Sequence, residues 1–507
     1  MASSENNGAV DKTLFAGTVA TIFLLAIPTI FARKQVAGII EQAFGAITHN
    51  VGFAYLWCGL AVFILLMVLA FGRFGKVRLG TPDSRPEFST VSWAAMLFCA
   101  GIGAGMLYWA VIEWGYYIDA PPYGYEPRSP EAIEWAAAYG LYHWGLLAWA
   151  FFCLPTLAIG YAFYVRKVPH LRLSTACIPY LGGDDSGPRA RLIDFLFMLS
   201  MVGGAGTALA LSTPMIAASL AQLTGLPHDF LMEGFVVALC FVLFGTSAYM
   251  GLDKGIKRLS DLNMALALLL LLFVLLVGPT LFILKMGTNG IGLVLQNFIR
   301  MSTWTDPVRE TGFVENWTVF YWAWWVSYGP FAGIFTARIS EGRTIREVIF
   351  GMLVYGSMGV GLFFIVFGNY ALHLELNDIL PVTTIMKEQS EAAAITQVFL
   401  SLPWGEFALL AFFVVSLIFV ATTYDSASFT LASVSTRELR ARDNPARWHR
   451  LFWAFALSIL PLALMFMDGG LQVVLSITMI VSLPLLVVNV MMCFSLVKML
   501  REDHPYT

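Results

Sequence analysis

Apolar stretches of roughly the 20 residues needed to cross a bilayer recur along the whole chain. Short segments holding nearly all of the Lys, Arg, Asp and Glu separate them. This pattern fixes the solvent before it fixes the fold. Of 507 residues, 58% are hydrophobic and 12% charged, and the mean hydropathy is +0.73, more apolar side chain than one water-soluble globule hides. The runs are continuous and long, so the expected class is an all-α membrane protein, not a barrel. The spans predicted lie near 13–32, 51–72, 91–118, 137–165, 192–220, 230–252, 262–284, 315–338, 346–372, 407–435, 449–467 and 471–497. The first follows a polar tail, Met1 to Lys12, with no basic n-region and no small-residue cleavage site, so it reads as a retained helix.

Most of the 30 Lys and Arg fall in alternate connections: Arg73 to Arg85, Arg166 to Arg191, Lys254 to Arg258, Arg338 to Arg346, Arg437 to Arg450, and the two ends at Lys12, Lys498 and Arg501. By the positive-inside rule both termini are expected in the cytoplasm, the chain crossing the cell inner membrane an even number of times. No basic run resembles a nucleic-acid patch, so nucleic acid is not an expected partner; the lipid bilayer is. Six Cys stand singly, without CxxC or ligand spacing, and read as small buried hydrophobes, with no disulfide and no transition-metal centre expected. Walker loops, a GxSxG elbow and paired His are absent from the sequence, which argues against an enzyme, and no organic cofactor is expected.

Interrupted helices are the informative feature, because backbone leaves the helix at membrane depth only where it lines a cavity or is buried in protein. The third span contains Cys99-Ala-Gly-Ile-Gly-Ala-Gly-Met106, with Gly101, Gly103 and Gly105 at alternate positions. The eighth contains Trp322-Ala-Trp-Trp-Val-Ser-Tyr-Gly-Pro-Phe331, where Gly329 and Pro330 predict a kink or break. The two are five spans apart, so they run in opposite directions. Spans 3–7 and 8–12 are therefore read as two inverted repeats with a midplane site between them. The segments become 1–12 (tail), 13–85 (two N-terminal helices), 86–286 (first repeat), 287–314 (outer amphipathic connector), 315–499 (second repeat) and 500–507 (short tail).

A quaternary ammonium donates no hydrogen bond and is held by aromatic faces, at about 0.5–2 kcal/mol per ring. Span 8 offers Trp322, Trp324, Trp325 and Tyr328, of which Trp324 and Tyr328 are i, i+4. Span 4 offers Trp144 and Trp149, and the end of span 3 offers Tyr116 and Tyr117. Trp57, Trp304, Trp317, Trp404, Trp448 and Trp453 read instead as interfacial belts. In span 10, hydroxyls of Thr422 and Thr423 together with carbonyls freed in span 3 make an oxygen set suited to Na⁺, and Asp425 is an acid near membrane depth. His143 reads as a packed or hydrogen-bonded histidine.

Asn316-Trp-Thr-Val-Phe-Tyr-Trp-Ala-Trp-Trp325 followed by Ala337-Arg-Ile-Ser-Glu-Gly-Arg-Thr-Ile-Arg346 is similar to the most specific signature of the betaine/carnitine/choline transporter (BCCT) family. Pro86-Glu-Phe-Ser89, His143-Trp144, Gly255-Ile-Lys-Arg-Leu-Ser260 and Asp425-Ser-Ala-Ser428 support the resemblance along the whole chain. It implies a five-plus-five inverted-repeat transporter working by alternating access, commonly a homotrimer. It implies that Trp324, Trp325 and Tyr328 form the substrate box, with Trp144, Trp149 and Tyr116 in the site or its pathway. The Gly101 to Gly105 stretch resembles the family's glycine motif, and Gly105, replaced by Asp in choline carriers, implies a zwitterion as substrate. The conserved sodium position corresponds to carbonyls of Cys99, Ile102 and Phe419 and hydroxyls of Thr422 and Thr423. Asn263 stands where sodium-independent carnitine exchangers place Arg, which favours Na⁺ as coupling ion; a second sodium position keeps only Thr207, with Gly203 and Phe152 at its other two places. The expected function is uptake of a betaine-type zwitterion such as glycine betaine, carnitine or dimethylsulfoniopropionate. Substrate exchange of carnitine type, a methylamine or choline carrier, and a non-transporting betaine receptor are the alternatives.

Overall fold

A computed structural model describes residues 9–101, 103–184, 186–250, 256–437, 444–465 and 470–505. Ile102, Lys254, Gly255, Arg440 and Arg442 lie outside them, and of Cys99 and Gly101 only the helix they end is described. Two N-terminal helices, α1 (Lys12–Phe31) and α2 (Arg33–Phe71), lead into five further spans. Span 3 is α3 (Thr90–Gly101) and α4 (Ala104–Asp119); span 4 is α5 (Pro130–His143) and α6 (Leu146–Tyr164); spans 5, 6 and 7 are α7 (Pro188–Thr224), α8 (Phe230–Met250) and α9 (Ile256–Val277). The connector is α10 (Thr280–Thr303). Span 8 is α11 (Phe320–Ile339), entered through a π-helical turn at Val314–Val319. Span 9 is one rod, Ile345–Leu376, in which α12 (Ile345–Phe350), α13 (Ser357–Phe363) and α14 (Asn369–Leu376) are joined by π-helical turns at Gly351–Gly356 and Phe364–Gly368. Two short helices, α15 (Val382–Glu388) and α16 (Glu391–Leu400), precede α17 (Gly405–Val434), α18 (Arg447–Met465) and α19 (Gly470–Asp503). Among the described residues there is no β-strand, only two isolated bridges.

Local chemistry sets the ends. The Asp11 carboxylate accepts the Thr13 and Leu14 amides at the start of α1, Ser129 caps α5 with Pro130 behind it, and Gly225, at φ 71°, closes α7. Among the described residues, seven helical segments are long and apolar enough to span a bilayer on their own. Spans 3 and 8 are not among them, one because it is broken and the other because its Trp, Tyr, Ser and Gly suit a protein interior more than lipid. The chain is an all-α membrane protein.

The packing repeats itself when each span is exchanged for the one five further on. The α11–α6 contact has its counterpart in α3 and α4 against span 9, α19–α7 in α17–α9, and α11–α19 in α3–α9. The α17–α18 pair matches α7–α8, and α18–α7 matches α17–α8. Spans 3–7 and 8–12 are thus related by a pseudo-two-fold exchange, and their odd offset makes it an inverting one.

The expected break in span 8 is absent. Pro330 lies inside an uninterrupted α11, because that helix is buried along its length and held against α6 by glycine contacts. A Cβ on Gly329 would stand 2.7 Å from the Phe151 carbonyl, and one on Gly333 2.8 Å from Pro155 Cβ and 2.9 Å from the Thr156 amide. The second interruption falls in span 4 instead, at Trp144-Gly145. The π-turns of span 9 accommodate indole rings: Trp93 lies against Gly351 and Trp149 against Gly356.

Among the described residues, the basic connections at 73–85, 166–191, 338–346 and 437–450 meet on one face. Arg78 reaches the Gly342 carbonyl, the Leu79 amide meets the Arg343 carbonyl at 2.9 Å, and Tyr164 donates to the Arg338 carbonyl. Arg172 donates to the carbonyl of Thr436, whose strand bridge is Val10, and Arg166 pairs with Glu502 and Asp503. Both described chain ends lie on this face. Replacing Gly333 by Ala forces α11 off α6, an overpacking cost of about 1–3 kcal/mol. The expected outcome is a lower thermal unfolding midpoint in detergent; an unchanged midpoint would mean the two helices are not in close backbone contact.

Candidate functional site

Tyr321, Trp324, Trp325 and Tyr328 follow i, i+3, i+4, i+7 spacing on α11 and face one way. Trp324 and Trp325 lie nearly parallel, their centroids 5.1 Å apart at 11°, and Tyr321 extends the stack at 6.2 and 5.8 Å. Trp144, at the break between α5 and α6, meets Trp325 edge-on at 4.8 Å and Trp324 at 5.8 Å. Phe152 adds an edge 5.6 Å from Trp325 and reaches Tyr328 at 6.0 Å. Backbone approaches the cluster at two glycines: a Cβ on Gly105 would stand 3.5 Å from Trp324, and one on Gly204 3.7 Å from Tyr328. The break itself orients a wall, since the His143 carbonyl accepts the Trp325 indole N–H at 2.9 Å.

Other predicted aromatics go elsewhere. Trp322 sits two residues round from Trp324 and points away, toward Tyr142 at 5.4 Å and Phe151 at 6.1 Å. Trp149 turns to span 9 and meets the box only through the edge of Phe152. Tyr116 belongs to a neighbouring cluster, 6.1 Å from Trp109 and 5.0 Å from Trp317, with its hydroxyl donating to Glu391 at 2.7 Å. That cluster corrects the belt expectation for Trp317, which the π-turn before α11 aims inward; it joins the box through Trp109 and Tyr321, 6.1 Å apart. Trp453 is no belt residue either. It is fully buried, with its indole donating to Ser435 Oγ.

Beside the box, Phe419, Thr422 and Thr423 share one face of α17 at i, i+3, i+4. The Thr422 hydroxyl donates back to the Ile418 carbonyl at 2.9 Å, which leaves its oxygen lone pairs free to accept. Thr423 Oγ1 would stand 3.1 Å from a Cβ on Gly103, so α17 presses directly on the α3–α4 break. At the other sodium position of the resemblance, Thr207 donates to the Gly203 carbonyl and pairs with Thr478, while Phe152 is a box wall. Asp425 is buried one turn further along α17.

A model of the BCCT, betaine/carnitine/choline family transporters, matches residues 13–505. The chain belongs to the BCCT family. Among its relatives, the protein named "Uncharacterized transporter YeaV" of Escherichia coli (strain K12) is 38% identical over 440 residues, which cover 87% of this chain and 91% of that protein. A "Carnitine transporter" of Acinetobacter baumannii is 36% identical over 449 residues, covering 89% of this chain and 81% of that one. A solved structure of a Na⁺-coupled sialic acid symporter in a substrate-bound outward-open state aligns at 14% identity with a TM-score of 0.36, over 90% of this chain and 82% of that one. Family and relatives are transporters, not enzymes.

This BCCT transporter holds one functional group that the motif reading passed over. Glu113, in α4, is 1% exposed. Its Oε1 accepts the Tyr117 hydroxyl at 2.6 Å, and its Oε2 accepts the Tyr321 hydroxyl at 2.6 Å and the Trp144 indole at 3.0 Å. His143 Nδ1 lies 3.4 Å from Oε1, and its Nε2 meets Thr318 at 3.0 Å. The general rule that an ionisable residue at membrane depth is functional would have found it, since it is the one charged residue within the predicted span 91–118. Removing the acceptor strands the Tyr321 and Trp144 donors, at about 1–3 kcal/mol each, while the Tyr117 hydroxyl keeps His143 Nδ1 at 3.0 Å. Glu113→Ala is therefore expected to lower the unfolding midpoint in detergent far more than Glu113→Gln, which keeps one accepting oxygen; equal midpoints for the two would contradict the network.

Proposed function

We propose that this BCCT transporter is a secondary active importer of a betaine-type zwitterion, with a quaternary-ammonium or sulfonium head, driven by Na⁺ symport through alternating access. The observation that carries this reading is the parallel Trp324–Trp325 pair edged by Trp144 and Phe152, with Tyr328 beside it. Aromatic faces attract a methylated cation that has no proton to donate, and the uncharged lining at Gly105 suits a substrate carrying its own carboxylate. The adjacent oxygens of Phe419, Thr422 and Thr423, with Cys99 and Ile102 across the break by family resemblance, support one coupled Na⁺. Asn263, buried and uncharged, supports the same choice over exchange. The shared face of the basic connections supports placing both termini in the cytoplasm of a cell inner membrane. A homotrimer is the family-based expectation for assembly.

Sodium-independent carnitine exchange is the competing reading; the relative named a carnitine transporter supports only carnitine as a candidate substrate. Uptake of radiolabelled glycine betaine, carnitine, choline and dimethylsulfoniopropionate into proteoliposomes, with an inward Na⁺ gradient or K⁺ in its place, separates the two. Symport requires uptake only with the Na⁺ gradient; uptake indifferent to Na⁺ but dependent on preloaded substrate establishes exchange. Trp325→Leu replaces an aromatic face with apolar bulk and is expected to cost about 0.5–2 kcal/mol of onium binding at the least. Unchanged affinity would remove Trp325 from the box. Thr422→Ala combined with Thr423→Ala is expected to abolish sodium stimulation, and full retention would place the ion elsewhere.

A further inference from the structure

We infer that Glu113 is an ionised backing charge for the aromatic box, one that strengthens the grip of the rings on an onium head and sets which way round a zwitterion lies. The inference rests on the onium reading of the box proposed above. Both phenol contacts, at 2.6 Å, fall in the range of charge-assisted O–H···O⁻ bonds. At Oε2 both neighbours are donors, and the indole can only donate. Among the described residues the one ion-pair partner within reach is His143; in the arrangement inferred here its buried imidazole is neutral, with the Nδ1 proton directed at the Tyr117 oxygen 3.0 Å away and Nε2 accepting from Thr318. The carboxylate thus leaves a net negative charge inside the protein, in a setting where such a charge seeks a cationic complement.

Two of its donors are themselves walls of the site. Trp144 meets Trp325 and Trp324 edge-on, and Tyr321 stacks on both. An N–H or O–H bound to an anion pushes electron density into its ring, making the π face more negative and the cation–π attraction stronger. The charge also acts directly, through a medium of low dielectric. A zwitterion feels both ends of this field. Its methylated head is drawn toward the Trp144 and Tyr321 side, and its carboxylate is driven away from Glu113. Glu113 is in this sense a positioning residue, since rings separate it from the substrate.

The test compares each onium with its carbon isostere, which has the same shape and carboxylate but no positive charge. Purified full-length protein in detergent is titrated with glycine betaine and 3,3-dimethylbutyrate, and with carnitine and 3-hydroxy-5,5-dimethylhexanoate, following intrinsic fluorescence. Wild type is expected to prefer the onium member of a pair. In Glu113→Gln that preference ratio is expected to fall by about ten-fold or more, while the isostere's own affinity changes little. In Tyr321→Phe, which keeps the ring and the carboxylate but cuts their hydrogen bond, it is expected to fall by a smaller factor of about three. A Glu113→Gln ratio equal to wild type overturns the inference even if both affinities drop, because a purely structural role lowers both together. If that variant does not fold, an unchanged ratio in Tyr321→Phe overturns it. A wild type that binds onium and isostere equally would instead sink the onium reading of the box.

Discussion

Inside a bilayer the backbone has no water to turn to, so every helix break must hand its freed groups to other parts of the protein. The break between α5 and α6 does this by giving the His143 carbonyl to the indole N–H of Trp325. One hydrogen bond thereby completes the backbone of span 4, fixes the ring of a residue on span 8, and holds Trp144 at the corner where it can edge both Trp324 and Trp325. The other break, between α3 and α4, is covered by α17, whose Thr423 lies against Gly103. The two interruptions are the places where the site is assembled, and irregular backbone is affordable there because protein surrounds it.

Close approach of α11 to α6 and the Glu113 network serve the same site from opposite directions. Glycines at 329 and 333 let α11 lie directly on the backbone around Phe151 and Pro155, which keeps a proline-containing helix straight enough to present four aromatics in one row. Behind that row, one carboxylate gathers donors from α4, α11 and the α5–α6 corner. The aromatic stack is therefore held by hydrogen bonds at its rim as well as by ring contacts.

Much of this was legible in the residues. Runs of apolar sequence determined the all-α membrane class and, with the basic connections, the grouping of those connections on one face. Glycines at 101, 103 and 105 located one break, and the spacing of Trp324, Trp325 and Tyr328 located the wall of the box, since helical periodicity alone decides which residues share a face. The same periodicity excludes Trp322 from that wall, two residues round from Trp324. Belt residues and box residues look alike in composition, so Trp317 and Trp453 could be sorted only by what they touch.

What tertiary structure alone decided follows from contacts between distant segments. Pro330 is a helix breaker by local chemistry, yet packing on α6 keeps α11 whole, while the break appears at Trp144-Gly145, where no proline marks it. Glu113 is one acid in an apolar run by sequence; its four partners come from residues 4 to 208 positions away, and only the fold brings them to one carboxylate. Sequence determined the solvent, the helices and the faces they present, because those depend on neighbours along the chain. Which faces meet, and therefore what the site can hold, depended on the packing of helices that the chain order keeps far apart.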